Sequence, residues 1–106
     1  MRKHTKIYLE AFGYDLSDPN QFVPSELGGR KSNDIHHIIS RGRGGKDRIE
    51  NLMALTRKEH EDFGDQNRYI WTLMSVHRQA MKEAGISFDN AYVEGVMNRY
   101  AYETEN

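Results

Sequence analysis

Residues 34–60 read DIHHIISRGRGGKDRIENLMALTRKEH, and the fold is decided in this stretch. It opens on a short isoleucine-rich run, Asp34 to Ile39, whose length and composition suit a β-strand. Ser40 to Asn51 follows, with Gly42, Gly44 and Gly45 set among basic residues, a flexible loop whose backbone can come close to a ligand. Leu52 to Leu55 is a second short apolar run, read as the returning strand. Thr56-Arg57-Lys58-Glu59 then has the form of a capping box. The Thr56 hydroxyl can accept the N–H three residues on, and Glu59 can reach back to the Thr56 N–H. A helix therefore begins at Thr56, and Gly64 ends its first piece. This strand, loop, strand and helix hold His36, His37, Asn51 and His60.

Towards the N-terminus, Lys3 to Phe12 suits a short helix ended by Gly13. Asp15 to Pro24 reads as irregular, because Asp18, Pro19 and Asn20 favour a turn and Pro24 disfavours helix. Gly28-Gly29 is a further turn signal. Towards the C-terminus, Ile70, Leu73, Met74, His77, Met81 and Ala84 recur at three- and four-residue steps. That is one face of a helix running to about Ala84, with Gly85 as its stop. Phe88, Tyr92, Val96 and Tyr100 suggest a final helix, capped by Ser87 or Asp89. Both helices are read as packing support, with dimerisation as the minority alternative. His77, on the apolar face, is read as a hydrogen-bonded core group, and His4 as a structural or surface residue.

A chain of 106 residues fits one domain, with a core over about 22–64 and a helical extension over about 65–106. No stretch approaches the ~18 apolar residues of a membrane span. The basic start, Met1 to Thr5, has no apolar run behind it of the kind a signal peptide needs. There is no cysteine, so disulfides and thiolate metal sites are excluded, and a cytoplasmic protein is the simplest expectation. The net charge of −1 hides an uneven distribution. Residues 30–60 hold eight Lys and Arg against four acids, while the remainder holds seven against twelve. The positive excess lies in the histidine-bearing segment, which suggests a local polyanion site, with a merely solvated charged loop as the equal alternative on charge alone.

The ordered pieces Asp34-Ile35-His36-His37-Ile38, Arg43-Gly44-Gly45, Glu50-Asn51-Leu52-Met53-Ala54-Leu55 and His60 together resemble the HNH endonuclease family. The resemblance covers roughly residues 22–64 and implies an α+β fold. Its core would be a small ββα-metal unit (the His-Me finger) with added N- and C-terminal helices. It also implies that His36 and His60 are metal ligands and His37 the general base, with Asn51 holding the loop or orienting the base. One divalent ion is expected: Mg, Mn, Ni or Zn. Imidazole suits borderline transition metals, and an ordinary imidazole can accept a proton from water near neutral pH. Arg41, Arg43, Lys46 and Arg48 in the loop, with Arg57 and Lys58 in the first helical turn, are candidates to hold phosphates. One tension follows from strand geometry. Adjacent residues of a regular strand point to opposite faces, so a regular strand should send either His36 or His37 out of the site.

Two departures from the family pattern stand out. Many relatives bind a structural zinc through two Cys-x-x-Cys pairs, and the matching positions here are Ser25, Gly28, Thr56 and Glu59. No structural zinc is expected. The capping box and the C-terminal helices are the candidates to replace it. Some relatives also carry a further histidine one turn along the helix, where this chain has Gly64. Asp62, Asp65 or Asn51 would then have to complete the metal shell, with water and substrate phosphate. The expected activity is hydrolysis of DNA phosphodiester bonds, with RNA left open. The alternative is an HNH-fold nucleic-acid-binding module with weak or no turnover. Small free-standing proteins of this pattern are similar to ones carried by phages, which act inside the host cell. Oligomeric state stays open, a homodimer included.

Overall fold

The structure is a computed structural model and describes residues 1–103. Its elements run α1 (Lys3–Ala11), β1 (Asp34–His37), β2 (Leu52–Leu55), α2 (Arg57–Phe63), α3 (Asn67–Glu83) and α4 (Asn90–Tyr100). The strands pair antiparallel, with His36 opposite Met53 and His37 opposite Leu52. This is an α+β arrangement in which strand, loop, strand and helix follow one another as the sequence implied.

β1 stops at His37, two residues short of the expected Ile39. The cause is Asn51. Its main-chain carbonyl still accepts from the Ile38 N–H at 2.9 Å. At Ile39 the Asn51 side chain takes over: Oδ1 accepts from the Ile39 N–H at 2.8 Å, and Nδ2 donates to the Ile39 carbonyl at 3.0 Å and to the Lys46 carbonyl at 3.1 Å. A buried amide thus replaces a partner strand and closes the loop on itself. Gly45 permits this closeness, since a Cβ there would lie 1.7 Å from the Ile39 carbonyl oxygen.

The capping box forms as expected, with Glu59 N–H donating to Thr56 Oγ1 at 3.1 Å and Thr56 N–H to Glu59 Oε1 at 2.8 Å. The second carboxylate oxygen of Glu59 accepts from the Ser25 hydroxyl at 3.1 Å, and Ser25 Oγ accepts from the Gly28 N–H at 3.0 Å. The four positions that match zinc cysteines in relatives therefore meet in one hydrogen-bonded cluster.

The apolar face of α3 is close to expectation: Ile70, Leu73, Met74, His77 and Met81 are buried, whereas Ala84 is an exposed C-cap. α4 is capped by Asp89 and buries Val93, Val96, Met97 and Tyr100. The expected Tyr92 lies at the margin of that face, beneath the Arg48 guanidinium at 4.2 Å, and Phe88 precedes the helix. Ile38, Ile39, Met53 and Leu55 pack with the apolar faces of α3 and α4 in one cluster, so the sheet and these helices share a core. A smaller cluster joins Tyr8 and Leu9 of α1 to Leu52 and Ala54. His77 is fully buried, with Nε2–H donating to the Ile49 carbonyl at 2.6 Å and Nδ1 paired to Glu26 at 2.8 Å. No described helix is long and apolar enough to cross a membrane.

Candidate active site

A cleft of about 620 Å³ runs across β1, with His4 of α1 at one side and His60 of α2 at the other. His36 and His37 leave the strand in different directions, as its pleat requires, yet both line this cleft. The two rings nonetheless take different partners, His36 beside His60 and His37 beside Asp47 and His4.

His36 is 4 % exposed, and its ring lies 4.5 Å from that of His60, centroid to centroid. Its Nε2 has no hydrogen-bond partner, although a buried polar atom is normally paired. Burial first, then the neighbouring His60 ring, bring its pKa down to about 4, so the ring is neutral and offers a lone pair. His60 Nδ1 faces Asp34 Oδ2 at 3.2 Å, and its Nε2 lies 3.8 Å from Asp65 Oδ2. Asp34 is in turn held by Arg57, through Nε at 2.9 Å and Nη2 at 3.0 Å, and this guanidinium keeps its carboxyl below the usual range.

Gly64 stands where some relatives place a third ligand. A Cβ on it would meet His60 Cδ2 at 2.6 Å and His36 Cε1 at 3.0 Å, so in this packing no side chain fits without shifting both rings. The next residue, Asp65, has φ 57°, a left-handed conformation uncommon outside glycine, and it brings a carboxylate to His60 instead. Of the other candidates for the shell, Asp62 pairs with Lys58 at 3.1 Å, and Asn51 is fully buried with both ends of its amide engaged. Two imidazoles, one with an orphaned buried nitrogen, and a carboxylate within reach fit a divalent ion.

His37 is placed differently. Its Nε2 lies 2.7 Å from Asp47 Oδ1, and Asp47 also accepts from Arg41 Nη2 at 3.0 and 3.1 Å. The bond to His37, then Arg41, lowers the Asp47 pKa. An ionised carboxylate only accepts, so His37 carries its proton on Nε2 and presents its lone pair at Nδ1. The ring of His4 lies 4.7 Å from that of His37.

The basic residues divide. Arg41 and Arg57 line the cleft, joined by Arg2, which the sequence reading did not single out. Arg43 bonds the Asn67 side chain on α3. Lys46 is exposed beyond the cleft lining, and Lys58 is taken up with Asp62. Arg48, expected to hold phosphate, serves the fold: it pairs with Glu50 at 2.9 Å and Asp89 at 3.3 Å and stacks on Tyr92. Asp47 and His4 were missed as candidate site residues, whereas Asp65 was among those expected to complete the shell. A lone acid inside a basic glycine loop was a legible signal for Asp47. His4 had none, because its placement depends on how α1 packs.

Two antiparallel strands joined by an Asn-fastened loop, and a helix that sets His60 beside His36, form an α+β unit consistent with a small ββα core. Residues 24–66 match the family model described as HNH endonuclease. No curated protein and no solved structure matches the chain.

Proposed function

We propose that this chain is a metal-dependent endonuclease that hydrolyses DNA phosphodiester bonds, with His37 as general base. The observation that carries this reading is the convergence of His36, His60 and His37 on one cleft, with the buried Nε2 of His36 unpartnered beside the His60 ring. His36 and His60, with Asp65 as the carboxylate facing His60 Nε2 at 3.8 Å, would hold one divalent ion. When bound, such an ion neutralises charge developing on the phosphate and on the leaving oxygen. The donor set favours Mn²⁺, Ni²⁺ or Zn²⁺ over Mg²⁺ in affinity, since it is rich in nitrogen.

His37 accepts the proton of the attacking water at Nδ1, and Asp47 steadies the ring from the opposite nitrogen. Arg2, Arg41 and Arg57 flank the cleft, and their N–H groups not engaged by Asp34 and Asp47 are available to phosphate oxygens. Asn51 acts as a positioning residue, fixing the loop that carries Asp47 and Arg41.

Incubation of supercoiled plasmid with the protein and Mn²⁺ or Mg²⁺ tests the reading. Wild type should cut, and His37→Ala should lose about 10²–10⁴-fold in rate while still binding DNA. A second reading, a nucleic-acid-binding module without turnover, has one observation in its favour. The group of three metal-ligating side chains drawn together in the described residues is His4, His37 and Asp47, not a set built on His36 and His60. Failure of wild type to cut with either metal, with DNA binding intact, would establish that module.

A further inference from the structure

We propose that His4, His37 and Asp47 form a second divalent-cation site, of the zinc class, in which an ion displaces the Arg41 guanidinium and ties up the ring of the general base.

The three side chains come from separate elements: α1, β1 and the glycine loop. Their ligand atoms all lie within 4.8 Å of one another. His37 Nε2 and Asp47 Oδ1 are already 2.7 Å apart. His4 Nδ1 lies 3.3 Å from Arg41 Nη2. A guanidinium only donates, so this nitrogen of His4 is an acceptor with its lone pair aimed at Arg41. The same Nη2 touches both oxygens of Asp47, at 3.0 and 3.1 Å. The lone pairs of an imidazole and a carboxylate thus already converge on one positive group. The ligands are sheltered: His4 is 8 % exposed, and the side chains of His37 and Asp47 are 14 % and 19 % exposed. The Arg41 side chain is 59 % exposed and opens a short turn, Arg41–Arg43, directly before Gly42, so its guanidinium can swing outward into solvent once displaced.

Two imidazoles and one carboxylate, with a fourth position for water, suit zinc and its neighbours. Magnesium prefers an all-oxygen shell and parts with its waters reluctantly, so it is a poor occupant. The site stands apart from the pair formed by His36 and His60, although the adjacent residues His36 and His37 link the two. The consequence for catalysis rests on the nuclease reading above. A ring that gives its Nε2 lone pair to a cation carries its proton on Nδ1, and so keeps no lone pair for water. Zinc beyond one equivalent would therefore act as an inhibitor.

Calorimetric titration of Zn²⁺ into chelator-stripped protein, without DNA, decides the matter. Wild type should take up two equivalents. His4→Ala should keep one, and His60→Ala should keep the other. Arg41→Ala should bind the second equivalent more tightly than wild type, because a competing cation is gone. Circular dichroism checks folding, and Asp47→Asn serves in place of His4→Ala if that variant does not fold. A wild-type stoichiometry that neither His4→Ala nor Asp47→Asn lowers overturns the site, whereas a single equivalent lost in His4→Ala and kept in His60→Ala supports it and tells against the His36/His60 ion. Absence of DNA cleavage alongside two-ion binding would instead sink the nuclease reading and leave the site standing.

Discussion

Burial of His36 in the candidate site comes at the expense of acid stability. Its pKa falls from 6.5 to about 4, chiefly by burial and then through the adjacent His60 ring. Between those values the unfolded chain takes up a proton that the folded chain refuses. The contribution is therefore complete above the unfolded value and is lost as pH drops towards the folded one. In chelator, wild type should lose about 2 kcal/mol more than His36→Gln between pH 7 and pH 5 in urea unfolding. Equal losses in the two proteins would show that burial of this ring does not couple to protonation. His36, His37, Asn51 and His60 were legible in the sequence because their order along a strand–loop–strand–helix pattern is informative. Asp47 and His4 were not placed, since their approach to His37 comes from a loop closure and a helix docking that no local spacing encodes.

The ββα unit is held by polar devices at the points where its elements meet. Glu59 serves three of them: it closes the capping box of α2, accepts from Ser25 Oγ, and lies beneath Gly28, where a Cβ would come within 3.1 Å. Glu59→Ala should cost about 1–2 kcal/mol, because the cap and the link to residues 25–28 are lost together, and a thermal melt measures it. The loop supplies a matched pair. Gly42→Ala meets nothing within 4 Å, whereas Gly45→Ala drives a Cβ against the Ile39 carbonyl and crowds Asn51 Nδ2 at 2.9 Å. The first should be near neutral, and the second should destabilise by about 1–3 kcal/mol or more. Equal melting temperatures for the two would mean that the Asn51 closure is not as tight as described. Elements with local signals were readable: the capping box and the regular apolar steps of α3. The end of β1 was not, because an isoleucine run gives no sign that a side-chain amide will interrupt the ladder. The face of α4 was misjudged at Tyr92, which looks apolar in a pattern but spends its ring on Arg48.

At the scale of the whole chain, residues outside the matched HNH segment are bound into its core, and His77 is where the attachment is most polar. From α3 it reaches Glu26 in the segment before β1 and the Ile49 carbonyl at the end of the loop, while Tyr8 of α1 donates to Glu26 at 2.7 Å. Four separate parts of the chain thus meet at one buried pair, two residues from the Asn51 that fastens the loop. We propose that the described residues, 1–103, fold as a single unit, for this reason and because the sheet shares its apolar cluster with α3 and α4. Removing one member of such a pair strands the other without water, a loss of about 3–5 kcal/mol, which is a large share of a small domain's stability. Replacing both members with apolar residues avoids that stranded group. His77→Leu and Glu26→Leu should therefore each be severe, and the double variant should cost clearly less than the two together. Urea unfolding of the three variants, followed by both tyrosine fluorescence and circular dichroism, measures the coupling. Additive costs, or transitions that separate between the two probes, would mean that α3 and the HNH segment do not fold as one.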